Sequence, residues 1–179
     1  MDPAELEALK YPTGKLEWEK DYSMAVIQSL IDKIEKQPDN LREVVQGISA
    51  DNQNYSYRPG GWTIRQIIHH VSDSHLNAYI RTKLALTEDC PTIKPYDENK
   101  WADLFDTAHA DFLISVHLLD TIHKRWVILL RSLKREDFDR EYFHPEMKRK
   151  VPLTHLLSIY AWHGDHHIGQ IRGALKNKF

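Results

Sequence analysis

The chain is 179 residues long, and its 41% hydrophobic and 28% charged residues are typical of a globular domain rather than a disordered or membrane-embedded chain. Its 24 basic and 26 acidic residues leave a formal net charge of −2, so neither nucleic acid nor anionic lipid is expected as a partner. No apolar run reaches the roughly 20 residues that cross a bilayer, and the polar N-terminus lacks the pattern of a signal peptide. We therefore expect a single domain over residues 1–179, with residues 1–14 as a poorly ordered extension.

The N-terminal third of the chain predicts two helices followed by a loop. Apolar residues between positions 18 and 34 recur at helical spacing. Pro38 and the polar pair after it are expected to interrupt this helix, because proline lacks the amide hydrogen that a helix interior needs. Apolar spacing resumes over 41–48 as a second short helix, and the polar, turn-rich stretch 51–61 predicts a loop.

The remainder of the chain predicts three longer helices and a small hairpin. Thr63 and Gln66 have the spacing of a capping box, so a helix should begin at Thr63 and continue to about residue 87. Residues 90–107 form a long connection, and apolar periodicity over 113–133 predicts the next helix. A small hairpin around Pro145 precedes a last helix over about 153–175. Apart from the short helix over 41–48, the prediction is of four long helices with one long crossover, which describe an all-α four-helix bundle with its sites between the helices.

The histidine content points to metal binding. The chain has 11 histidines but a single cysteine, Cys90, which excludes a cysteine cluster and favours a reducing cytoplasm. A borderline metal would therefore be bound by imidazole nitrogen. On the last helix, His167 lies within the apolar stripe and His163 lies on its edge, one turn earlier. Side chains four residues apart lie about 5–6 Å apart at Cβ, so this pair can converge on one ion. The alternative is that both are core histidines, each with its own hydrogen-bond partner.

A metal site needs at least one further ligand, and the helix that begins at Thr63 offers three histidines. His70 shares a face with polar residues that include no acid: Gln66, Ser74, Asn77 and Arg81. Such a face suits the wall of a water-filled cleft, so His70 is the first choice as third ligand. Periodicity prefers it only modestly to His75, which lies on the apolar stripe, and His69 is the third choice.

Three neutral imidazoles would leave a bound dication with its full charge and an open position for water, as in catalytic rather than structural zinc sites. Such water, or a bound thiol, can be deprotonated near neutral pH. Asp73 and Gln170 are close enough in sequence to orient ligand rings. His166, Asp73 and Arg81 are the candidate catalytic residues, as acid, base or anion-binding groups. Gly164 leaves room for a large neighbour beside the histidine pair.

Two histidine-rich segments resemble those of the DinB/YfiT-like metal-dependent proteins. The first is GWTIRQIIHHVSDSH at 61–75, and the second is WHGDHHIGQI at 162–171. The segment KPYDENKW at 94–101 and the turn YFHP at 142–145 resemble the YfiT branch in particular. The similarity extends from about residue 15 over nearly all of the chain, with the motifs in the same order.

The resemblance implies a DinB-like four-helix bundle that is commonly a homodimer. It also implies that the second histidine of the pair at 69–70 binds the metal together with His163 and His167. Zinc or nickel would be the usual divalent ion, one per chain. The implied activity is that of a metal-dependent hydrolase acting on a small molecule, and relatives in the superfamily instead activate a low-molecular-weight thiol.

Three functions therefore compete. The leading hypothesis is a hydrolase in which metal-bound water attacks a small electrophilic substrate. A thiol-dependent S-transferase would use the same centre, and charge for the polar part of the thiol could come from Arg65, Arg81 or Arg172. The third is a non-enzymatic, metal-stabilised binding protein whose surface includes the tryptophans: Trp18, Trp62, Trp101, Trp126 and Trp162.

Overall fold

Four long helices form the body of the structure, a computed structural model that describes residues 1–179. In chain order the elements are α1 (Pro3–Lys10), α2 (Met24–Val45), α3 (Ile64–Thr87), α4 (Glu98–Ala102), α5 (Phe105–His109), α6 (Phe112–Arg131), β1 (Glu141–His144), β2 (Arg149–Pro152) and α7 (Leu153–Asn177). Helices α2 and α3 each pack against both α6 and α7, and β1 pairs antiparallel with β2. The predicted all-α bundle with a long crossover and a small hairpin is confirmed. None of the helices has the length and apolarity needed to span a membrane.

The predicted break at Pro38 is wrong, because α2 continues through this buried residue to Val45. A proline at this position leaves the carbonyl of Ile34, four residues earlier, without its helical amide donor. The imidazole of His123 on α6 takes that place, since its Nδ1 donates to the Ile34 oxygen over 2.7 Å. A donor from a distant part of the chain compensates for the proline, and local sequence rules could not show this.

Segments expected to be irregular contain short helices. Residues 1–14, for which little order was expected, instead include α1 and are hydrogen-bonded to α7. The indole of Trp162 donates to the Gly14 carbonyl over 3.0 Å, and the side-chain amide of Gln170 donates to the Lys10 carbonyl over 3.1 Å. The connection between α3 and α6 likewise carries α4 and α5.

Apolar side chains of the four long helices form two separate clusters, one toward each end of the bundle. The first joins the N-terminal halves of α2 and α7 to the C-terminal halves of α3 and α6, and the second joins the remaining halves. Between the clusters the helices contribute the side chains of a polar layer: Gln37, His70, His75, His123, His163 and His167. Because buried polar groups require partners, this layer is where the fold can hold a functional site.

Candidate metal centre

Helix α7 carries two of the predicted ligands, His163 and His167, one turn apart. The helix starts at Leu153, directly after β2, and its buried stripe turns both imidazoles toward the interior of the bundle. Their Nε2 atoms lie 3.2 Å apart, and their rings are inclined at 75°. The i, i+4 spacing thus brings two ring nitrogens together from one helix.

Helix α3 brings His70 to the same point. Its start is fixed by the predicted capping box, in which the Thr63 amide donates to Gln66 Oε1 over 3.0 Å and the Gln66 amide donates to Thr63 Oγ1 over 3.2 Å. Two turns further on, His70 Nε2 lies 3.3 Å from His163 Nε2. One ring nitrogen from each of His70, His163 and His167 therefore belongs to a cluster whose members all lie within 4.8 Å of one another.

The other two histidines of α3 do not reach this cluster. His75 is completely buried, and its Nε2 faces Nδ1 of His163 at 3.2 Å, on the opposite nitrogen of that ring. His69 points toward α6, where its Nδ1 lies 2.7 Å from the Oγ of Ser115. Of the three candidates for a third ligand, only His70 lies in the cluster.

The separations of His163 Nε2 from the Nε2 atoms of His167 and His70 match those between two ligands of a tetrahedral ion. Zinc–imidazole bonds of about 2.0–2.1 Å place ligand nitrogens about 3.3–3.4 Å apart, close to the 3.2 and 3.3 Å found here. Burial lowers the pKa of His70 to about 4. Burial, together with the proximity of neighbouring rings, lowers the pKa of His163 and His167 well below 6.5. Protons therefore compete little for these nitrogens at neutral pH.

Gln170 orients His167, from a position one turn further along α7. Its Oε1 lies 2.8 Å from Nδ1 of His167, and an amide oxygen can only accept. Nδ1 of His167 therefore carries the hydrogen, and Nε2 keeps its lone pair. The amide nitrogen of Gln170 donates to Nε2 of His166 over 3.0 Å. Asp73, the other residue considered for such a role, makes no hydrogen bond to His70.

Two of the candidate catalytic residues lie within one helical turn of a predicted ligand: His166 adjoins His167, and Asp73 is three residues from His70. His166 is buried against the indole of Trp162, with ring centroids 4.4 Å apart, and burial lowers its pKa to about 4. Burial raises the pKa of the Asp73 carboxyl to about 6, and the Asp106 carboxylate adds to the rise. His166 is thus a neutral ring at physiological pH, whereas Asp73 exchanges its proton close to that range.

Arg81 belongs to a more distant part of α3. From residue 70 to residue 81 the helix rises by about 16 Å. Burial raises the pKa of Tyr96 to about 12 and also raises that of Tyr142, and the Arg81 guanidinium beside these phenols opposes both shifts. Arg81 can therefore contact only the far end of a substrate bound at the three histidines.

A cavity of about 420 Å³ lies beside the histidine cluster. Its wall combines aromatic, cationic and imidazole side chains: Lys10, Tyr11, Arg58, Trp62, His166 and His167. No carboxylate lines it, so its electrostatic character favours an anionic group. The Trp62 ring lies over His70, with centroids 4.6 Å apart.

Sequence analysis missed two members of the polar layer, Gln37 and His123. Gln37 donates to the carbonyls of Tyr160 and Ala161 over 2.8 and 3.0 Å, and it fills the space beside Gly164. A Cβ on Gly164 would lie 2.3 Å from its Cδ, so Gln37 is the large neighbour for which the glycine leaves room. The sequence signal for both residues is a polar side chain within the apolar stripe of its helix.

Residues 33–171 match the sequence profile of the DinB superfamily. The chain belongs to this superfamily. The matched segment extends from within α2 to within α7, and it contains all three histidines of the cluster.

An Oceanobacillus iheyensis protein is 44% identical to this DinB superfamily chain over 169 residues, and its name proposes a metal-dependent hydrolase. The alignment covers 94% of this chain and 97% of the relative. A Bacillus cereus protein named in the same way is 44% identical over 168 residues, or 94% of this chain and 96% of the relative. YfiT from Bacillus subtilis is described as a probable metal-dependent hydrolase with an unusual four-helix bundle topology. Its structure matches with a TM-score of 0.92 at 39% identity, over 96% of this chain and 98% of that chain. The resemblance to DinB/YfiT-like proteins is confirmed.

Proposed function

We propose that this protein is a metal-dependent hydrolase in which His70, His163 and His167 hold one zinc or nickel ion. The convergence of their Nε2 atoms, with separations of 3.2 and 3.3 Å, carries the proposal. A dication with three neutral ligands and an open position supplies a water that is deprotonated near neutral pH. The names of the relatives from Oceanobacillus iheyensis and Bacillus cereus support the same class of enzyme.

Side chains of the cavity would bind and orient the substrate. Lys10 and Arg58 attract an anionic group, and the Trp62 ring restricts access of water to the cluster. Because Nε2 of His166 accepts from Gln170, its Nδ1 carries the hydrogen, and this N–H has no partner within the protein. The atom is buried in this structure, so we propose that it donates to an oxygen of the substrate once the side chains that cover it move, as a hydrogen-bond donor rather than a proton source.

Asp73 and Arg81 complete the proposed machinery. Asp73 lies one turn from His70, and its pKa of about 6 suits a general base that works near neutral pH. Arg81, three turns from His70, would hold the far end of a longer substrate.

The metal site is tested by elemental analysis of protein purified without a metal-affinity step. We expect one zinc or nickel ion per chain, and we expect His163→Ala to lose it. His155→Ala is the matched control, because His155 lies on the same helix and packs against Trp18 instead (centroids 4.6 Å apart). Wild-type protein without stoichiometric metal, or equal loss in both variants, would contradict the proposal.

Thiol-dependent S-transfer is the second candidate, and the cationic cavity favours it because a thiol cofactor carries a charged portion. Among the arginines considered from the sequence, Arg65 is bonded to the Ala110 carbonyl and to Gln53, whereas Arg172 is exposed. The two reactions separate in one assay with a chromogenic electrophile. Cleavage without added thiol supports the hydrolase, and turnover only with thiol supports the transferase.

A metal-stabilised binding protein without activity is the third candidate. In that case removal of the ion with a chelator should unfold the protein. For the hydrolase we expect the metal-free protein to retain its helical circular dichroism, because the two apolar clusters lie on either side of the site and do not depend on it.

We also propose that the protein is a homodimer. Ile114 and Ile128 on α6 are 62% and 72% exposed, and a second copy would remove this apolar surface from water. Light scattering should give twice the chain mass of 21.0 kDa. A mass of one chain would contradict the proposal.

A further inference from the structure

Two buried histidines connect the backbone of α2 to the ligand His163. Nδ1 of His123 lies 2.7 Å from the carbonyl oxygen of Ile34, and Nε2 of His123 lies 2.8 Å from Nδ1 of His75. Nε2 of His75 then lies 3.2 Å from Nδ1 of His163. His75 and His123 are 0% and 1% exposed, so solvent water does not replace these links.

The Ile34 carbonyl is the first group in this series of hydrogen bonds, and it sets the direction of every bond that follows. A carbonyl can only accept, so Nδ1 of His123 carries the hydrogen and Nε2 is an acceptor. Nδ1 of His75 must then donate to His123, which leaves Nε2 of His75 as an acceptor. Nδ1 of His163 donates to that atom in turn. The free lone pair of His163 is therefore on Nε2, the nitrogen that faces His70 and His167.

Pro38 is the reason that the first acceptor is available. In an uninterrupted helix the Ile34 carbonyl would accept from the amide of residue 38, and proline has no such hydrogen. The same proline that fails to end α2 thus provides the acceptor to which His123 is bound. Pro38 can be read from the sequence, but its consequence depends on the contact between α2 and His123 of α6.

We propose that His75 and His123 are positioning residues that hold His163 in the ring orientation and tautomer that bind the metal through Nε2. The inference rests on the proposed metal site and goes beyond it, since neither residue touches the ion. Partners of this kind, hydrogen-bonded to the far nitrogen of a ligand, typically change metal affinity by about 10- to 100-fold when they are removed.

The tautomers can be read directly by ¹⁵N NMR of the histidine side chains in the wild-type protein, both metal-free and loaded with zinc. We expect His75 and His123 to carry hydrogen on Nδ1 and a lone pair on Nε2 in both samples. A hydrogen on Nε2 of either ring would overturn the proposal. This measurement depends neither on the folding of a variant nor on bound metal.

Variants of His75 separate its link to His163 from its link to His123. Glutamine places its amide oxygen near the position of Nε2 and can still accept from His163, whereas asparagine reaches only the position of Nδ1. We expect His75→Asn and His75→Leu to lower the affinity for zinc by about 10- to 100-fold in competition with a chromogenic chelator. We expect His75→Gln to retain most of the affinity.

His69→Leu is the matched control, because His69 is a buried histidine of the same helix that is bonded to Ser115 and lies outside the chain of imidazoles. Its zinc affinity should equal that of the wild type. Equal affinity in wild type and His75→Leu, or an equal loss in His75→Gln and His75→Leu, would overturn the positioning role. Wild-type protein that binds no zinc would refute the proposed metal site. The NMR result would still show whether His75 and His123 have the tautomers that the series of hydrogen bonds requires.

Discussion

At the level of single residues, Gln170 shows how one amide can control two imidazoles. Its oxygen accepts from His167, and its nitrogen donates to His166 and to the Lys10 carbonyl. The first bond fixes the tautomer of a proposed ligand. The other two connect the site to the N-terminal segment.

Substitution of Gln170 should therefore affect metal binding according to what the new side chain can accept. We expect Gln170→Leu to lower zinc affinity by about 10- to 100-fold, because His167 loses the acceptor for its Nδ1 hydrogen. Gln170→Glu keeps an acceptor there, so its affinity should remain close to that of the wild type. A chelator competition titration measures both. Equal losses of zinc affinity in the two variants would show that the affinity does not depend on an acceptor for the Nδ1 hydrogen of His167.

The residues of the candidate site differ in how well they can be predicted from the sequence. His163 and His167 follow from their spacing on one helix, since helical geometry is local. The choice of His70 over His75 depends on how α3 is rotated against α7, and periodicity carries little information about that rotation. His123 could not be assigned at all, because its partners come from other helices.

At the level of elements, α7 contains two glycines in very different surroundings. A Cβ on Gly164 would lie 2.3 to 2.6 Å from the end of the Gln37 side chain, which is buried and bonded to two carbonyls. A Cβ on Gly173 would meet nothing within 4 Å. The two positions are therefore a matched pair within one helix.

Alanine at these positions should change stability in opposite directions. Gly164→Ala forces Gln37 out of its site and should lower the free energy of unfolding by about 1–3 kcal/mol, as overpacking does. Gly173→Ala removes backbone freedom from the unfolded chain and should raise it by up to about 1 kcal/mol. Urea denaturation measures both changes. A Gly164→Ala protein as stable as the wild type would contradict the packing described for Gln37.

Elements were more predictable than residues because their signals are local. The capping box at Thr63, the apolar periodicity of α3, α6 and α7, and the hairpin turn all act over a few residues. The continuation of α2 through Pro38 was not predictable, since it depends on a donor from α6. The order of residues 1–14 was missed for the same reason, as their partners lie on α7.

At the level of the whole molecule, the buried histidines, both in the polar layer and beside it, make stability depend on pH. Burial lowers the pKa of His123 and His166 to about 4, and it also lowers the pKa of His69, His75 and His167. The unfolded chain takes up protons at these rings near pH 6.5, whereas the folded chain does not. The contribution of these neutral rings to the free energy of unfolding is complete above pH 6.5 and is lost as the pH falls below 6.5. Asp73 and Asp165, whose pKa values burial raises, act in the opposite direction but are fewer than the histidines.

The metal-free protein should therefore unfold in mild acid. Each fully buried histidine should lower the free energy of unfolding by about 1.4 kcal/mol for each pH unit between 6.5 and its folded pKa. Circular dichroism with urea at a series of pH values measures the slope, which should exceed that of one proton between pH 6 and pH 5. A free energy that is constant over this range would contradict the burial of neutral imidazoles.

The position of Trp62 over His70 gives the protein an optical reporter. Its ring centroid is 4.6 Å from that of His70 and 6.4 Å from that of His167, so an ion at the cluster would lie within a few ångströms of an indole. Nickel, with its partly filled d shell, quenches a nearby excited indole, whereas zinc has a filled shell and lacks that route. Intrinsic fluorescence would thus distinguish the two candidate ions without any label, and replacing Trp62 by phenylalanine would reduce the quenching by nickel while leaving the three nitrogens in place.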